Sequence, residues 1–197
     1  MAKASTHKGN IVRAAAKLFR SKGYVATGLN EILARADAPK GSLYHYFPGG
    51  KEELGAYAVR SAGEAAARSF EDLAADGADA AQVLRRFATL LGGWMAKTDF
   101  EEGCPVATVL LEMASESASI RQAGDDALAA WAAVLARRLE ADGVPAPRAA
   151  RLARFAIASL EGGMLLARVE QSAAPIMDAA EEAAAHFARV IEETRGG

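Results

Sequence analysis

Residues 38–54 read Ala-Pro-Lys-Gly-Ser-Leu-Tyr-His-Tyr-Phe-Pro-Gly-Gly-Lys-Glu-Glu-Leu, and this stretch decides the fold. Pro39 suits the first turn of a helix, where its missing N–H costs nothing. Lys40 to Phe47 follow as one short helix, and Pro48-Gly49-Gly50 closes it. Leu43 and Phe47, four residues apart, share a face that can pack inward, leaving Lys40, Ser42, Tyr44 and His45 to point outward. From Lys51 to about Ala75 a long helix is expected, with Glu52 and Glu53 placed at its positive N-terminal end.

Upstream, Ile11, Ala14, Ala15, Leu18 and Phe19 recur at helical spacing, while Arg13, Lys17 and Arg20 take the opposite face. Gly23 stops this first helix, and Thr27 is expected to cap a second that carries Leu29, Ile32 and Leu33 and ends near Ala36. Two short helices joined by a tight turn make a helix-turn-helix, so residues 1–50 are expected to form a three-helix DNA-binding domain.

Breaks at Asp76-Gly77, Asp99 to Pro105, Gly143 to Pro147 and Ala174-Pro175 divide the remainder into helices near 79–97, 104–116, 119–142, 147–171 and 176–194. β-branched residues are sparse and prolines number only 6, so helix propensity runs almost throughout. The expected class is all-α, with residues 51–197 forming a larger helical domain.

The net charge of -2 conceals a polarity. Residues 1–60 hold 10 Lys and Arg against 4 Asp and Glu, and the remaining 137 hold 13 against 21. A basic end beside an acidic body points to a polyanion partner for the first part alone. The single cysteine, Cys104, excludes an intramolecular disulfide, and the N-terminus lacks an apolar signal region, so a cytoplasmic protein is expected. No apolar run approaches the ~20 residues that span a bilayer, so no membrane partner is expected.

Enzyme signatures fail. Gly49-Gly50-Lys51 would need glycine at 45 and Ser or Thr at 52 to form a phosphate-binding loop, and the chain has His45 and Glu52. His7, His45 and His186 are scattered and no metal-ligand spacing exists, so no cofactor and no metal are expected. A nucleic-acid-modifying enzyme would need an acidic metal cluster or zinc motif, and the sequence has neither.

The strings Gly23-Tyr24-Val25-Ala26-Thr27, Glu31-Ile32-Leu33, Lys40 to Phe47 and Lys51-Glu52-Glu53-Leu54 closely resemble the DNA-binding domain of the TetR family of transcriptional regulators. Residues 38–51 and Gly103-Cys104-Pro105-Val106 are similar to the LmrA/YxaF-like branch of that family. The resemblance implies a homodimeric repressor that binds double-stranded operator DNA and is released by a small apolar or aromatic effector. The chain departs from the common family pattern at Gly28, where a hydroxyl residue is usual, at Asp37, where glycine is usual, and in the order His45-Tyr46. Asp37 tolerates the turn conformation nearly as well as glycine.

Lys40, Ser42, Tyr44 and His45 are the candidates for base edges, Gly41 allows close backbone approach, and Thr27 and Lys51 are expected to hold phosphates. Tyr46 reads as structural. In the C-terminal body, Trp94, Cys104, Glu112, Met113, Trp131, Phe155, Ser159 and Met164 are candidates for an effector cavity, mixing aromatic, flexible and polar groups. Cys104 carries the alternative of a redox- or electrophile-sensing regulator. Two stripes, Ala149-Leu152-Ala153-Ala156-Leu160 and Met177-Ala180-Ala184-Phe187-Ile191, are expected to pair across a two-fold axis into a four-helix interface.

Overall fold

The structure is a computed structural model that describes residues 2–195, with side chains from residue 7. Among the described residues there are nine α-helices and no strand: α1 (Ala2–Lys22), α2 (Leu29–Arg35), α3 (Lys40–Tyr46), α4 (Gly50–Ala74), α5 (Ala80–Ala96), α6 (Pro105–Met113), α7 (Ala118–Ala141), α8 (Ala146–Glu170) and α9 (Ala174–Arg195). The helices pack into two compact units, one of residues 1–63 and 104–127, the other of residues 64–103 and 128–197. The first unit thus reaches past residue 50 and takes in α6 and the start of α7.

The first unit is built around α1, which packs on α2, α3 and α6. Its apolar stripe is buried as the periodicity predicts, with Ile11, Ala15, Leu18 and Phe19 each no more than 4% exposed. Ile32 of α2, Leu43 of α3, Leu54 of α4 and Val109 of α6 complete this core. Where α4 and α7 meet, a Cβ on Gly63 would lie 2.4 Å from the Ala127 methyl, so glycine permits that contact.

The caps differ from expectation in two places. Pro39 stands before α3 as its N-cap rather than in the first turn. Thr27 does not cap α2, whose N-cap is Gly28 with no side-chain bond. The Thr27 hydroxyl donates instead to the carbonyl of Gly23 at 2.7 Å and is fully buried, a local bond that competes with capping. Asp37 behaves as its chemistry allows, with φ of 48° in the left-handed region. Around it the Ala38 N–H reaches the Leu33 carbonyl at 3.0 Å and the Asp37 N–H the Ala34 carbonyl at 3.3 Å. This doubly bonded termination ends α2 and turns the chain into α3.

In the second unit α9 packs on α8 and α5. The rings of Phe70 and Phe87 stack with centroids 3.7 Å apart. Small residues bring α8 and α9 together, and a Cβ on Gly163 would lie 2.9 Å from the carbonyl oxygen of Pro175. The two stripes expected to form a dimer interface are corrected here for all but Met177, which is 38% exposed, and Ile191, which is half-buried. Ala149, Ala153, Ala156 and Leu160 of α8 and Ala180, Ala184 and Phe187 of α9 are at most 3% exposed within a single chain. They form the core of the unit itself, because burying an apolar stripe against a neighbouring helix of the same chain removes the same surface from water. Another face of α8 leaves Phe155, Leu165, Leu166 and Val169 exposed, and Leu90 of α5 and Met177 of α9 are exposed as well.

Candidate nucleic-acid interface

The chain of causes that shapes α3 starts with two anchors. Leu43 and Phe47 are each 1% exposed, and the Phe47 N–H closes on the Leu43 carbonyl at 2.7 Å. With these two side chains fixed inward, Lys40, Gly41, Tyr44 and His45 are exposed and Ser42 is half-buried. Tyr44 is the most prominent, a large aromatic 61% exposed with a phenol that can donate or accept. The His45 and Tyr46 rings meet edge to face at 4.8 Å. Tyr46 lines a cleft of about 420 Å³ together with Lys8, Arg13, Tyr57 and Ser61. The Lys8 ammonium lies 4.5 Å from the centre of the Tyr57 ring, a cation–π contact. The cleft places two further cations on the same unit as α3.

Lys51, at the start of α4, lies 4.4 Å over the ring of Tyr24 and donates to the Val25 carbonyl at 3.3 Å. Burial lowers its pKa from the ordinary lysine value, and the Glu112 carboxylate acts in the opposite direction. Thr27 is corrected as a phosphate contact, since its hydroxyl is enclosed and spent on Gly23. That bond shapes the turn ahead of α2.

Glu112 is corrected as well. Its carboxylate accepts the Val25 N–H at 2.6 Å, from α6 to the turn between α1 and α2. Gly23, with φ of 86°, ends α1 beside it, and a Cβ there would fall 2.2 Å from Glu112 Oε1. A second polar link lies close in sequence. Glu52 Oε1 accepts from the hydroxyls of Ser117 at 2.6 Å and Ser119 at 3.0 Å, and these two bonds hold its pKa below the usual glutamate value. Sequence reasoning missed both links because their partners lie 87 and 65 residues apart along the chain.

The remaining effector candidates divide between the units. Cys104 and Met113 belong to the first, and Trp94, Trp131, Phe155, Ser159 and Met164 to the second. Cys104 is buried and caps α6, its sulfur accepting the Ala107 N–H at 3.4 Å. Trp131 and Met164 are each 5% exposed. Ser159 donates to the Phe155 carbonyl at 2.9 Å. Phe155 points to the outer face of α8, where its ring meets His186 edge to face, and it is corrected as a cavity residue.

A short exposed helix, anchored by two buried residues behind a tight turn and set on a basic unit, defines a helix-turn-helix protein. Residues 11–58 match the family described as bacterial regulatory proteins, tetR family, and residues 80–182 match the C-terminal domain of LmrA/YxaF-like transcriptional regulators. The HTH-type transcriptional regulator LmrA of Bacillus subtilis (strain 168) is 35% identical over 85% of this chain and 89% of its own length. An uncharacterised HTH-type transcriptional regulator of Mycobacterium tuberculosis (strain ATCC 25618 / H37Rv) is 39% identical over 84% of this chain and 86% of its own. The crystal structure of regulatory protein TetR from Rhodobacter sphaeroides superposes with a TM-score of 0.80 at 29% identity, covering 90% of this chain and 97% of that one. The chain therefore belongs to the TetR family of transcriptional regulators, in its LmrA/YxaF-like branch. Among the described residues no helix is long and apolar enough to cross a membrane.

Proposed function

We propose that the protein is a homodimeric repressor that grips operator DNA with α3 and releases it when a small apolar or aromatic molecule binds the C-terminal body. Residues 1–50 read the DNA, and residues 51–197 take the effector and dimerise. The observation that carries the reading is the two-sided α3, with Leu43 and Phe47 buried and Lys40, Gly41, Tyr44 and His45 exposed. A recognition helix needs this division, since base edges in the major groove are read only by side chains held outward on a fixed support. Ser42 and the phosphate contact Lys51 complete the set. The effector site is assigned to Trp94, Trp131, Ser159 and Met164 of the second unit. A regulator of this kind acts on DNA in the cytoplasm.

Lys40→Ala, Tyr44→Ala and His45→Ala are each expected to weaken binding to a selected operator by about 5- to 150-fold, with folding intact, since a good base contact is worth about 1–3 kcal/mol. Lys51→Ala is expected to weaken binding on all sequences and to flatten the log-log salt dependence by about one unit. Fluorescence anisotropy on a labelled duplex measures both. Parent-like affinity in all four variants would remove the assignment of α3 as the reading helix.

Release by an effector carries a reciprocal requirement. If the ligand weakens operator binding by some factor, the operator weakens ligand binding by the same factor, typically about 5- to 150-fold. Calorimetry of an aromatic ligand found by thermal-shift screening, with and without saturating operator, is expected to show that difference. Equal affinities would end the sensor reading of the C-terminal body.

A further inference from the structure

One residue of the first unit, Val25, is held at both of its main-chain polar groups. The N–H of Val25 points to Glu112 Oε2 at 2.6 Å, and its carbonyl accepts from the Lys51 ammonium at 3.3 Å. Glu112 comes from the last turn of α6, Lys51 from the first turn of α4, and Val25 from the turn that leads into α2. The fit is close. Oε1 of the same carboxylate occupies the space beside Gly23 that any side chain at that position would need, at 2.2 Å from an ideal Cβ. Tyr24, between them, is 6% exposed and fixed by Phe19 on one side and by Gly55 beneath its ring. Glu112 thus holds the turn from the α6 side, beside the Thr27 hydroxyl that holds the Gly23 carbonyl at 2.7 Å from within it.

We infer that Glu112 is a positioning residue of the DNA-binding site: its carboxylate, bonded to the Val25 N–H, sets the turn that starts α2 and keeps Lys51 on the Val25 carbonyl, facing the phosphate it is to hold. The inference rests on the reading of this unit as a DNA-binding domain. It also makes α6 an element whose displacement reaches the turn directly, because the turn and the Lys51 side chain lose their support together.

The sign of the effect separates this role from bulk electrostatics. Removing a carboxylate from a surface that meets a polyanion strengthens binding by Coulomb's law alone. Positioning predicts the opposite for variants that lose the acceptor. In the full-length protein, Glu112→Ala and Glu112→Met are expected to weaken binding to the selected operator about tenfold or more, the cost of a lost charge-assisted bond. Both are expected to lower the salt slope by about one unit as Lys51 leaves its phosphate. Glu112→Met fills the space of the glutamate side chain and keeps the test available should the alanine variant fold poorly, with folding followed by circular dichroism. Glu112→Gln retains an acceptor for the Val25 N–H and is expected to bind within about threefold of the parent or tighter. A merely structural carboxylate would leave the salt slope unmoved in every variant. Parent-like affinity and slope in folded Glu112→Met would overturn the inference, as would Glu112→Gln binding as weakly as Glu112→Met. A parent that prefers no duplex sequence would overturn the DNA-binding reading and this inference together, so the two failures are distinguishable.

Discussion

Replacing Phe187 with Asp is expected to unfold the second unit, lowering the thermal midpoint by about 10 °C or more. Phe187 is fully buried on α9, on the same face as Ala180 and Ala184, and α9 packs on α8 and α5. Deleting a buried phenylalanine ring costs about 3–5 kcal/mol from lost transfer and cavity terms alone. An ionised carboxylate in the same place adds a desolvation cost, and among the described residues no Lys, Arg or His is buried to repay it. Leu160→Glu on α8, 3% exposed in the parent, is expected to behave alike. Circular dichroism melting reports the loss. The stripe reading from sequence predicts something different, a folded monomer, because there these residues face a second chain. Sedimentation of a well-folded monomer carrying Phe187→Asp would restore that reading and contradict the packing.

Leu166→Glu is expected to do what those substitutions do not: keep the fold and separate the two chains of the proposed homodimer. Leu166 is 52% exposed in the single chain, and Phe155, Leu165 and Val169 share its outer surface on α8 at 52%, 65% and 74%. Helical spacing places Phe155, Gly162, Leu166 and Val169 along one line, since 155, 162, 166 and 169 are separated by about whole turns. In the proposed homodimer, water-exposed apolar side chains grouped in this way are the surface assigned to the second copy. A charge at the centre of such a contact is left unpaired when the contact forms. The variant is expected to sediment as a monomer with a thermal transition close to that of a folded chain. Operator affinity is expected to fall about 100-fold or more, because each half-site must then be filled independently without the effective concentration that linkage provides. A persistent dimer would place the interface elsewhere.

Nearly all of the fold was legible in the sequence because most of its helices end at residues whose chemistry stops helices. Gly23 and Gly143 take positive φ at the ends of α1 and α7, and Asp79 caps α5 by accepting the Gln82 N–H at 2.7 Å. The inward side of α3 was legible too, since Leu43 and Phe47 are the only bulky aliphatic and phenylalanine side chains of that segment and lie one turn apart. Three features were not. Thr27 carries a hydroxyl that can cap the next helix or bond back to its own turn, and only the position of the Gly23 carbonyl decides between them. The stripes of α8 and α9 were read as an interface because periodicity reports that a face is buried, not whether the cover belongs to the same chain. Glu112 reads from the sequence as a polar group of an effector cavity, whereas its carboxylate meets a turn 87 residues away in the chain. Long-range polar contacts of that kind leave no periodic trace.

The most direct test of a symmetric regulator that reads DNA through α3 is selection of bound duplexes from a random pool by the purified full-length protein, followed by sequencing. The expected result is enrichment of an inverted repeat whose half-site centres lie about 34–36 Å or a further whole helical turn apart, as required for two recognition helices to enter major grooves on one side of the duplex. Tyr44→Ala is expected to lose the enrichment at defined positions within each half. A pool that stays random, or converges on a single unrepeated site, would contradict this expectation.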